Sequence, residues 1–167
     1  MEQNDIKNRP NELDPTDLKL LEALQSDASM GNQALAEHVH ISPPTCLRRV
    51  KRLRNAGLIE RQIAVLSADK LSAMLGHGLT AIIEVTLDRQ GVGYLEIFEH
   101  KAALEGAVQQ CYRVSPGPDF ILQVHVQDMP RYLALTQRLF TDDANVRNVK
   151  AFFSTRRSKF EPKVLLR

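Results

Sequence analysis

At 167 residues the chain can form one large domain or two small ones, and its 43% apolar and 25% charged residues are typical of a globular protein. A formal net charge of only +2 excludes a protein that binds polyanions over its whole surface, and no stretch approaches the roughly 18 apolar residues of a membrane span. The two cysteines lie far apart and form no metal or dithiol motif. With no signal peptide recognised, they indicate the cytoplasm.

Charge is unevenly placed along the chain. Residues 1–37 carry eight acidic and three basic side chains, a net charge of −5, whereas residues 38–59 carry five Arg or Lys and no Asp or Glu. This asymmetry predicts a local basic surface for an anionic partner. Residues 1–12 are polar and aperiodic, and we expect them to form a flexible tail.

Capping signals and apolar spacing predict three short helices between residues 13 and 57. Asp14 can cap the first helix, and Pro15 suits its first position. Asn32 can cap the second helix and Ser42 the third, and Gly57 is placed to end the third in a left-handed conformation. The apolar positions expected to pack together are Leu18, Leu21, Leu24, Leu35, Ala36, Val39, Leu47, Val50 and Leu53.

The third predicted helix has an apolar face and a cationic face. A short basic helix preceded by another short helix is the arrangement with which a helix-turn-helix meets DNA. Its Arg and Lys side chains can pair with phosphates, and Arg can also bridge two acceptors on a guanine edge. The alternative is a solvated basic face without a partner. The predicted contacts to double-stranded DNA are Ser42, Pro44, Thr45, Arg48, Arg49, Lys51 and Arg52.

After the third helix the pattern changes. Residues 59–66 alternate in part and predict a short strand or wing, and residues 63–78 are predicted to be a linker strand and hinge. From residue 79 the predicted order is β-α-β-β-α-β, which is the ferredoxin-like arrangement. The predicted fold is therefore α+β, with a winged helix-turn-helix domain at 13–62 and a ferredoxin-like sandwich at 79–167.

The turn from Ser115 to Phe120 is the best candidate for a small-molecule site. It joins two adjacent predicted strands, so its backbone amides and the Asp119 carboxylate project past the edge of the sheet. Such a carboxylate can accept hydrogen bonds from an α-ammonium group, while free amides bind an α-carboxylate. The alternative is a plain hairpin turn in which Asp119 caps its own backbone.

Catalytic motifs are missing from the sequence. It contains no G-x-S-x-G, H-E-x-x-H, Walker loop or G-x-G-x-x-G. His38 and His40 lie two residues apart, which does not point both rings at one metal from a helix. We therefore expect no enzyme, no metal and no cofactor, and we expect Cys46 and Cys111 to be small core side chains.

Several segments together resemble one known family. In the first half they are Leu13-Asp14-x-x-Asp17, Ile41-Ser42-Pro43, Cys46-x-Arg48-Arg49-Val50-Lys51-Arg52-Leu53 and Ala56-Gly57-Leu58-Ile59. In the second half they are Cys111-Tyr112-Arg113-Val114-Ser115 and Asp119-Phe120-Ile121-Leu122. From Leu13 to about Leu165 the chain resembles the Lrp/AsnC (leucine-responsive, feast/famine) family of prokaryotic transcription regulators. Its second half resembles the effector-sensing RAM domain of that family.

The resemblance implies a sequence-specific transcription regulator that binds double-stranded DNA. It implies homodimers that pair through a strand between the domains and through RAM sheets, and that join into octamers. It also implies that an amino acid or a related metabolite binds between RAM domains, with Ser115, Asp119 and Gln123 as effector contacts.

The chain departs from the family pattern at two places. Ser29 stands where the family usually has arginine, and Pro116 stands at the glycine of the Thr/Ser-Gly-x-x-Asp turn. Proline removes an amide donor and fixes φ, which predicts altered effector binding. Two alternatives remain open: a nucleoid-type architectural protein with little effector response, and a metabolite-binding module whose DNA-binding head is vestigial.

Overall fold

The computed structural model describes residues 13–76 and 78–166, without the side chains of residues 68, 69, 72 and 73. The predicted tail, residues 1–12, lies outside these ranges. The described residues form two units, one ending at Val65 and joined by the chain from Phe160 onward, the other running from Leu66 to Lys159. Among the described helices, none combines the length and the apolar character needed to cross a membrane.

Within the described residues, three helices make up most of the first unit. They are α1 (Pro15–Ser26), α2 (Asn32–His38) and α3 (Pro43–Asn55), each starting within one residue of its predicted cap. They enclose a small apolar core to which every helix contributes. Its buried members are Leu20, Ala23, Leu24, Leu35, Ala36, Val39, Cys46, Val50 and Leu53.

Three positions predicted for this core are not buried in the structure. Leu18 and Leu21 are half-buried, and Leu47 is exposed. The prediction took every third residue as apolar, and that spacing drifts around a helix with 3.6 residues per turn. The buried side of α3 instead begins at Cys46 and continues at steps of four and three residues.

The cap of α1 confirms the prediction, whereas those of α2 and α3 correct it. The Asp17 amide donates to Asp14 Oδ1 at 2.8 Å, and the Asp14 amide donates to Asp17 Oδ2 at 3.1 Å, which makes a capping box. Asn32 is the first residue of α2 rather than its cap, and its side chain donates to the Pro43 carbonyl at 3.0 Å. Ser42 precedes α3, but its hydroxyl donates to Thr45 Oγ1 at 2.9 Å instead of capping the backbone.

The end of α3 is a Schellman motif in which Gly57 has the left-handed conformation that the sequence predicted. Gly57 has a φ of +72°, and its amide donates to the Arg54 carbonyl at 2.9 Å. The Leu58 amide donates to the Leu53 carbonyl at 3.1 Å. These two bonds satisfy carbonyls that the last turn would otherwise leave open.

The segment after α3 differs from the prediction. Residues 60–67 carry no regular secondary structure, and helix α4 (Ala68–Leu75) replaces the expected hinge. A strand needs a partner strand, and none of the described residues pairs with this segment. The hinge prediction gave too much weight to the serines and glycines, because good helix formers lie between Ser67 and Gly76. The Leu71 amide donates to the Ser67 carbonyl at 3.0 Å and closes the first turn.

The second unit confirms the predicted β-α-β-β-α-β order. After α4 the elements are β1 (Leu79–Leu87), α5 (Val92–Leu104), β2 (Val108–Arg113), β3 (Phe120–Val126), α6 (Met129–Thr136) with a π-helical turn (Gln137–Thr141), and β4 (Val146–Phe153). The described strands form one antiparallel sheet in the order β2-β3-β1-β4. The fold is therefore the ferredoxin-like sandwich.

The alternation of β3 decides which face of the sheet is covered. Leu122, Val124 and Val126 are buried together with Phe98 of α5 and Leu135 of α6. Gln123 and His125 lie on the opposite face, as the alternation predicted. That opposite face also carries the exposed apolar side chains Ile82, Tyr112 and Phe152.

The C-terminal segment differs from the predicted domain limits. It was expected to belong to the second domain, but from Phe160 its contacts group it with the first unit. The side chain of Gln25 in α1 holds this segment: its Nε2 donates to the Val164 carbonyl and its Oε1 accepts from the Val164 amide, both at 3.0 Å. The carboxamide therefore pairs with the tail backbone as a neighbouring strand would.

Candidate functional site

The outward surface of α3 is basic. Arg48 and Lys51 are exposed on it, and Ser42 and Pro44 are exposed at its start, with Thr45 half-buried beside them. The other two predicted cations, Arg49 and Arg52, behave differently. The side chain of each is held by a partner within the first unit.

Arg49 and Arg52 bind the two acidic residues that begin α1, and we name these four residues the Asp17 cluster. Arg49 Nη1 donates to Asp14 Oδ2 at 2.6 Å and to Asp17 Oδ1 at 2.9 Å, and Arg52 Nη2 donates to Asp17 Oδ2. The Asp17 side chain has no exposed surface, whereas those of Arg49 and Arg52 are 24% and 38% exposed. The cluster therefore joins the start of α1 to the middle of α3.

Asp17 is ionised because its hydrogen bonds outweigh its burial. Burial would raise the pKa of this carboxyl, but hydrogen bonds from Arg52, from the Asp14 amide and from Arg49 together lower the pKa below its usual value. The hydrogen bond to Asp14, followed by that to Asp17, raises the pKa of Arg49. Both charged partners are thus stabilised in place, as a buried ion pair requires.

The basic face that is free for a ligand is narrower than the sequence predicts. Arg49 and Arg52 were expected to face DNA, and instead their guanidinium groups bind Asp14 and Asp17. In the sequence, Asp17 stood out only as part of the Leu13-Asp14-x-x-Asp17 segment. The missed signal is a pair of acids three residues apart at the start of α1, matched by two arginines three residues apart in α3. Charge counting treats these as separate features.

The second candidate site is the turn between β2 and β3. The Val114 amide donates to the Asp119 carbonyl at 3.0 Å and closes the turn. Ser115 is exposed, the Ser115–Pro116 peptide is cis, and Gly117 has a φ of +123°. With Pro116 and Pro118 on either side, Gly117 supplies the backbone amide at the tip.

Asp119 holds the end of the neighbouring strand rather than its own turn. Its Oδ2 accepts from the Leu87 amide at 2.6 Å and from Gln90 Nε2 at 3.3 Å. The alternative that Asp119 caps its own backbone is therefore wrong. In the described part of the chain Oδ1 accepts no hydrogen bond, so one carboxylate oxygen at this half-buried position keeps its bonding capacity.

Gln123 lies apart from this turn. It sits four residues along β3 from Asp119, which is about 13 Å at the rise of a strand. Its Nε2 donates to Gln109 Oε1 at 2.9 Å on the face of the sheet opposite the helices. The structure therefore brings Ser115 and Asp119 together at one end of the sheet and leaves Gln123 in its middle.

A cleft of about 570 Å³ opens at the other end of β3 and is lined by His125, Arg131 and Arg138 among others. Arg138 is already paired with Glu105 at 3.0 Å. The three predicted effector contacts are not among the residues that line this cleft. The cleft also holds the Glu105 carboxylate, but Glu105 and Arg138 are paired with each other, whereas Asp119 keeps one oxygen free.

Both cysteines are side chains of the interior, as predicted. Cys46 is buried in α3, and burial raises the pKa of its thiol. Cys111 is half-buried in β2, where burial and then the charge of Glu99 raise its pKa. Both thiols are therefore protonated near neutral pH.

Comparison with known families matches both units. Residues 13–60 match the model of a winged helix-turn-helix DNA-binding domain, and residues 80–164 match that of the Lrp/AsnC ligand binding domain. The second match covers more than half of the chain.

Curated relatives match over most of their length. The chain is 35% identical to an HTH-type transcriptional regulator of Haemophilus influenzae over 92% of this chain and 89% of the relative. It is 35% identical to the leucine-responsive regulatory protein of Rhizobium meliloti over 89% and 92%, and 35% identical to that of Escherichia coli K12 over 78% of each.

Solved structures match as well. A transcriptional regulator of Neisseria meningitidis in complex with L-Met superimposes with a TM-score of 0.79 at 29% identity, over 93% of this chain and 97% of the other. An AsnC family regulator of Agrobacterium tumefaciens gives 0.79 at 26% identity, over 92% and 97%. The chain therefore belongs to the Lrp/AsnC family and is a sequence-specific DNA-binding transcription regulator with a ligand-binding domain.

Proposed function

We propose that the regulator reads DNA with α3 lying in the major groove. The observation that carries this proposal is the exposure of Arg48 and Lys51, whereas Arg49 and Arg52 are held by carboxylates of the same unit. Ser42, Pro44 and Thr45 begin the same helix, where recognition helices approach base edges. A regulator that acts on genomic DNA works in the cytoplasm of a prokaryotic cell.

In this proposal Arg49 and Arg52 orient α3 and do not carry the main DNA contacts. Each would have to leave a carboxylate that it already binds in order to reach a phosphate. Loss of either arginine would remove a charged partner of the buried Asp17 carboxylate, which is costly. Arg48 and Lys51 pay no such penalty.

The test of this proposal is a DNA titration with single variants. Arg48→Ala or Lys51→Ala is expected to weaken binding by about 1–3 kcal/mol. Arg131→Ala removes an exposed arginine of α6 in the other unit and serves as the control, with unchanged binding expected. Equal affinity of the wild type for unrelated duplexes, with a steep salt dependence, would instead favour the architectural alternative.

We propose that the turn at Ser115–Asp119 binds the α-amino and α-carboxylate groups of an amino acid. Asp119 Oδ1 would accept from the ammonium group, and the Gly117 amide with the Ser115 hydroxyl would donate to the carboxylate. The proposal is supported by the free capacity of Asp119 Oδ1 and by the likeness to a regulator solved with L-Met. Pro116 removes a donor that a glycine there would offer, so the set of accepted ligands differs from that of glycine-containing turns.

We propose that the regulator acts as a homodimer that joins into a higher oligomer such as an octamer. The exposed apolar side chains Ile82, Tyr112 and Phe152 on one face of the sheet support an interface with a second copy. Gln123 lies on that same face, too far from Asp119 to hold one amino acid with it. Gln123 could therefore contact only an effector that is held by Asp119 of a neighbouring copy. Light scattering coupled to gel filtration tests this, and a monomer at micromolar concentration contradicts it.

Thermal melting of the wild-type protein with each of the twenty amino acids tests the effector proposal. A ligand at 100 times its Kd stabilises the folded state by about 2.7 kcal/mol, which raises the Tm of a chain this size by a few degrees. A selective rise for one or a few amino acids is expected. The absence of any rise, with DNA binding intact, contradicts the proposal of an amino-acid effector.

A further inference from the structure

Leu47 is an apolar side chain on the face of α3 that is otherwise polar or charged. The structure describes α3 in full, and Leu47 is 61% exposed there, whereas Cys46 and Val50 on either side of it are buried. Single exposed leucines are common on protein surfaces and need no special role. What distinguishes Leu47 is its position.

Helical geometry places Leu47 on the exposed face of α3, next to Lys51. At 3.6 residues per turn, it lies about 40° around the helix from Lys51 and about 60° from Pro44. Arg48 follows it directly. The buried side of the helix, with Leu53, lies about 120° away in the other direction. Any polyanion that Arg48 and Lys51 attract therefore meets Leu47 as well.

The chemistry of the major groove offers one partner for such a side chain. Each base pair presents hydrogen-bond donors and acceptors there, and thymine adds a methyl group. A leucine cannot satisfy a donor or acceptor that it covers, so it penalises bases whose polar edge it would bury. Against a thymine methyl it removes apolar surface from water on both sides.

We propose that Leu47 is a specificity-determining residue that contacts a thymine methyl group in the major groove. The inference rests on the proposed placement of α3 in that groove. Arg48 and Lys51 supply contacts to phosphates and bases, and Leu47 adds an apolar contact that selects one base. Because Leu47 is exposed and lies in a helix, replacing it with alanine leaves the fold intact.

The test begins with selection from a random double-stranded DNA library by the full-length wild-type protein. Each thymine of the selected duplex is then replaced singly by deoxyuridine, which removes the methyl group and keeps base pairing. We expect one thymine in each half-site at which uracil weakens wild-type binding about fourfold, the effect of about 0.8 kcal/mol for one buried carbon. The Leu47→Ala variant is expected to bind the thymine and uracil duplexes equally at that position.

Leu133→Ala is the matched control, because Leu133 is 59% exposed in α6 of the other unit. It is expected to keep the full preference for thymine. Selection that yields no enriched sequence contradicts both the proposed recognition and this inference. An enriched site that lacks thymine, or wild-type binding indifferent to uracil at every thymine, overturns the inference and leaves the proposed function standing. An altered oligomeric state of Leu47→Ala with unchanged thymine preference also overturns it, since Leu47 would then face a second copy.

Discussion

Asp17 in the first unit and Asp119 in the second are both carboxylates that secure the start or end of a regular element, yet they differ in what they leave free. Asp17 is fully buried, and both of its oxygens accept from arginines of α3. Asp119 is half-buried, and its known bonds go to Oδ2. A charged side chain can therefore serve a ligand only where its own fold leaves bonding capacity unused.

The same distinction separates the cations of α3. Arg49 and Arg52 point toward the start of α1 and are committed to the Asp17 cluster, whereas Arg48 and Lys51 face outward. All four belong to one basic run in the sequence. Their different roles follow from their angular positions around the helix.

The largest expected effect comes from Asp17→Ala. It leaves two guanidinium groups without their buried partner, and we expect the first unit to lose about 3 kcal/mol of stability. Hydrogen exchange of the α1 and α3 amides should accelerate by about 100-fold, since every 1.4 kcal/mol is a factor of ten. Fluorescence of Tyr94, Tyr112 and Tyr132, all in the second unit, should show an unchanged transition.

Asp27→Ala is the control for this variant. Asp27 is an exposed carboxylate of the same unit, and it accepts from the Ser29 amide at 2.9 Å and the Ser29 hydroxyl at 2.6 Å. We expect a much smaller loss of stability than for Asp17→Ala. Equal losses of stability in the two variants would show that the Asp17 cluster stabilises the first unit no more than an exposed carboxylate does.

Asp119→Asn separates ligand binding from structure. The asparagine carbonyl oxygen still accepts from the Leu87 amide, so the fold is retained, but the negative charge that attracts an ammonium group is lost. The stabilisation of about 2.7 kcal/mol that a ligand at 100 times its Kd confers should disappear. Thermal melting with the amino acid that stabilises the wild type measures this. An unchanged ligand shift would move the site away from Asp119.

Asp119→Ala should have a smaller effect on the protein without ligand. It leaves the Leu87 amide without its acceptor, and a hydrogen bond to a partly exposed group contributes about 1 kcal/mol. We expect a Tm a few degrees below that of Asp119→Asn. Identical melting of the two variants would show that the Leu87 amide finds water or another acceptor equally well.

The smallest effect concerns pH. The pKa of Asp17 is lowered in the folded protein, so its stabilisation is present above its unfolded pKa of about 3.9 and is lost as the pH falls through the folded value. The free energy of urea unfolding of the first unit should therefore fall on acidification below about pH 4. Asp17→Asn should be less stable at pH 7 and less sensitive to acid. Parallel pH profiles of wild type and variant would contradict the low pKa.

Much of the fold could be predicted because the signals were local. The alternation of Leu122, Val124 and Val126 defined β3, and Gly57 marked the end of α3. The segment after α3 was harder, since whether residues 60–67 form a strand depends on a partner and not on their own pattern. The Asp17 cluster joins residues 32 and 35 apart in sequence, and no periodicity within one helix reveals such a pair.

The candidate sites were predicted in type and only partly in detail. The basic run identified α3, but it did not distinguish Arg48 from Arg49, because charge counting ignores which side of the helix each occupies. The turn with Asp119 was found from its residues, yet its bond to Leu87 crosses to another strand. Gln123 was grouped with Asp119 by resemblance, whereas the length of β3 separates them.

The most direct measurement is the salt dependence of DNA binding for Arg48→Ala and Arg52→Ala, each under conditions where it is folded. If Arg48 meets a phosphate and Arg52 holds Asp17, the slope of log K against log salt should fall by about 1 for Arg48→Ala and stay unchanged for Arg52→Ala. The reverse result would contradict the account, since it would place Arg52 on DNA and leave Arg48 in solvent.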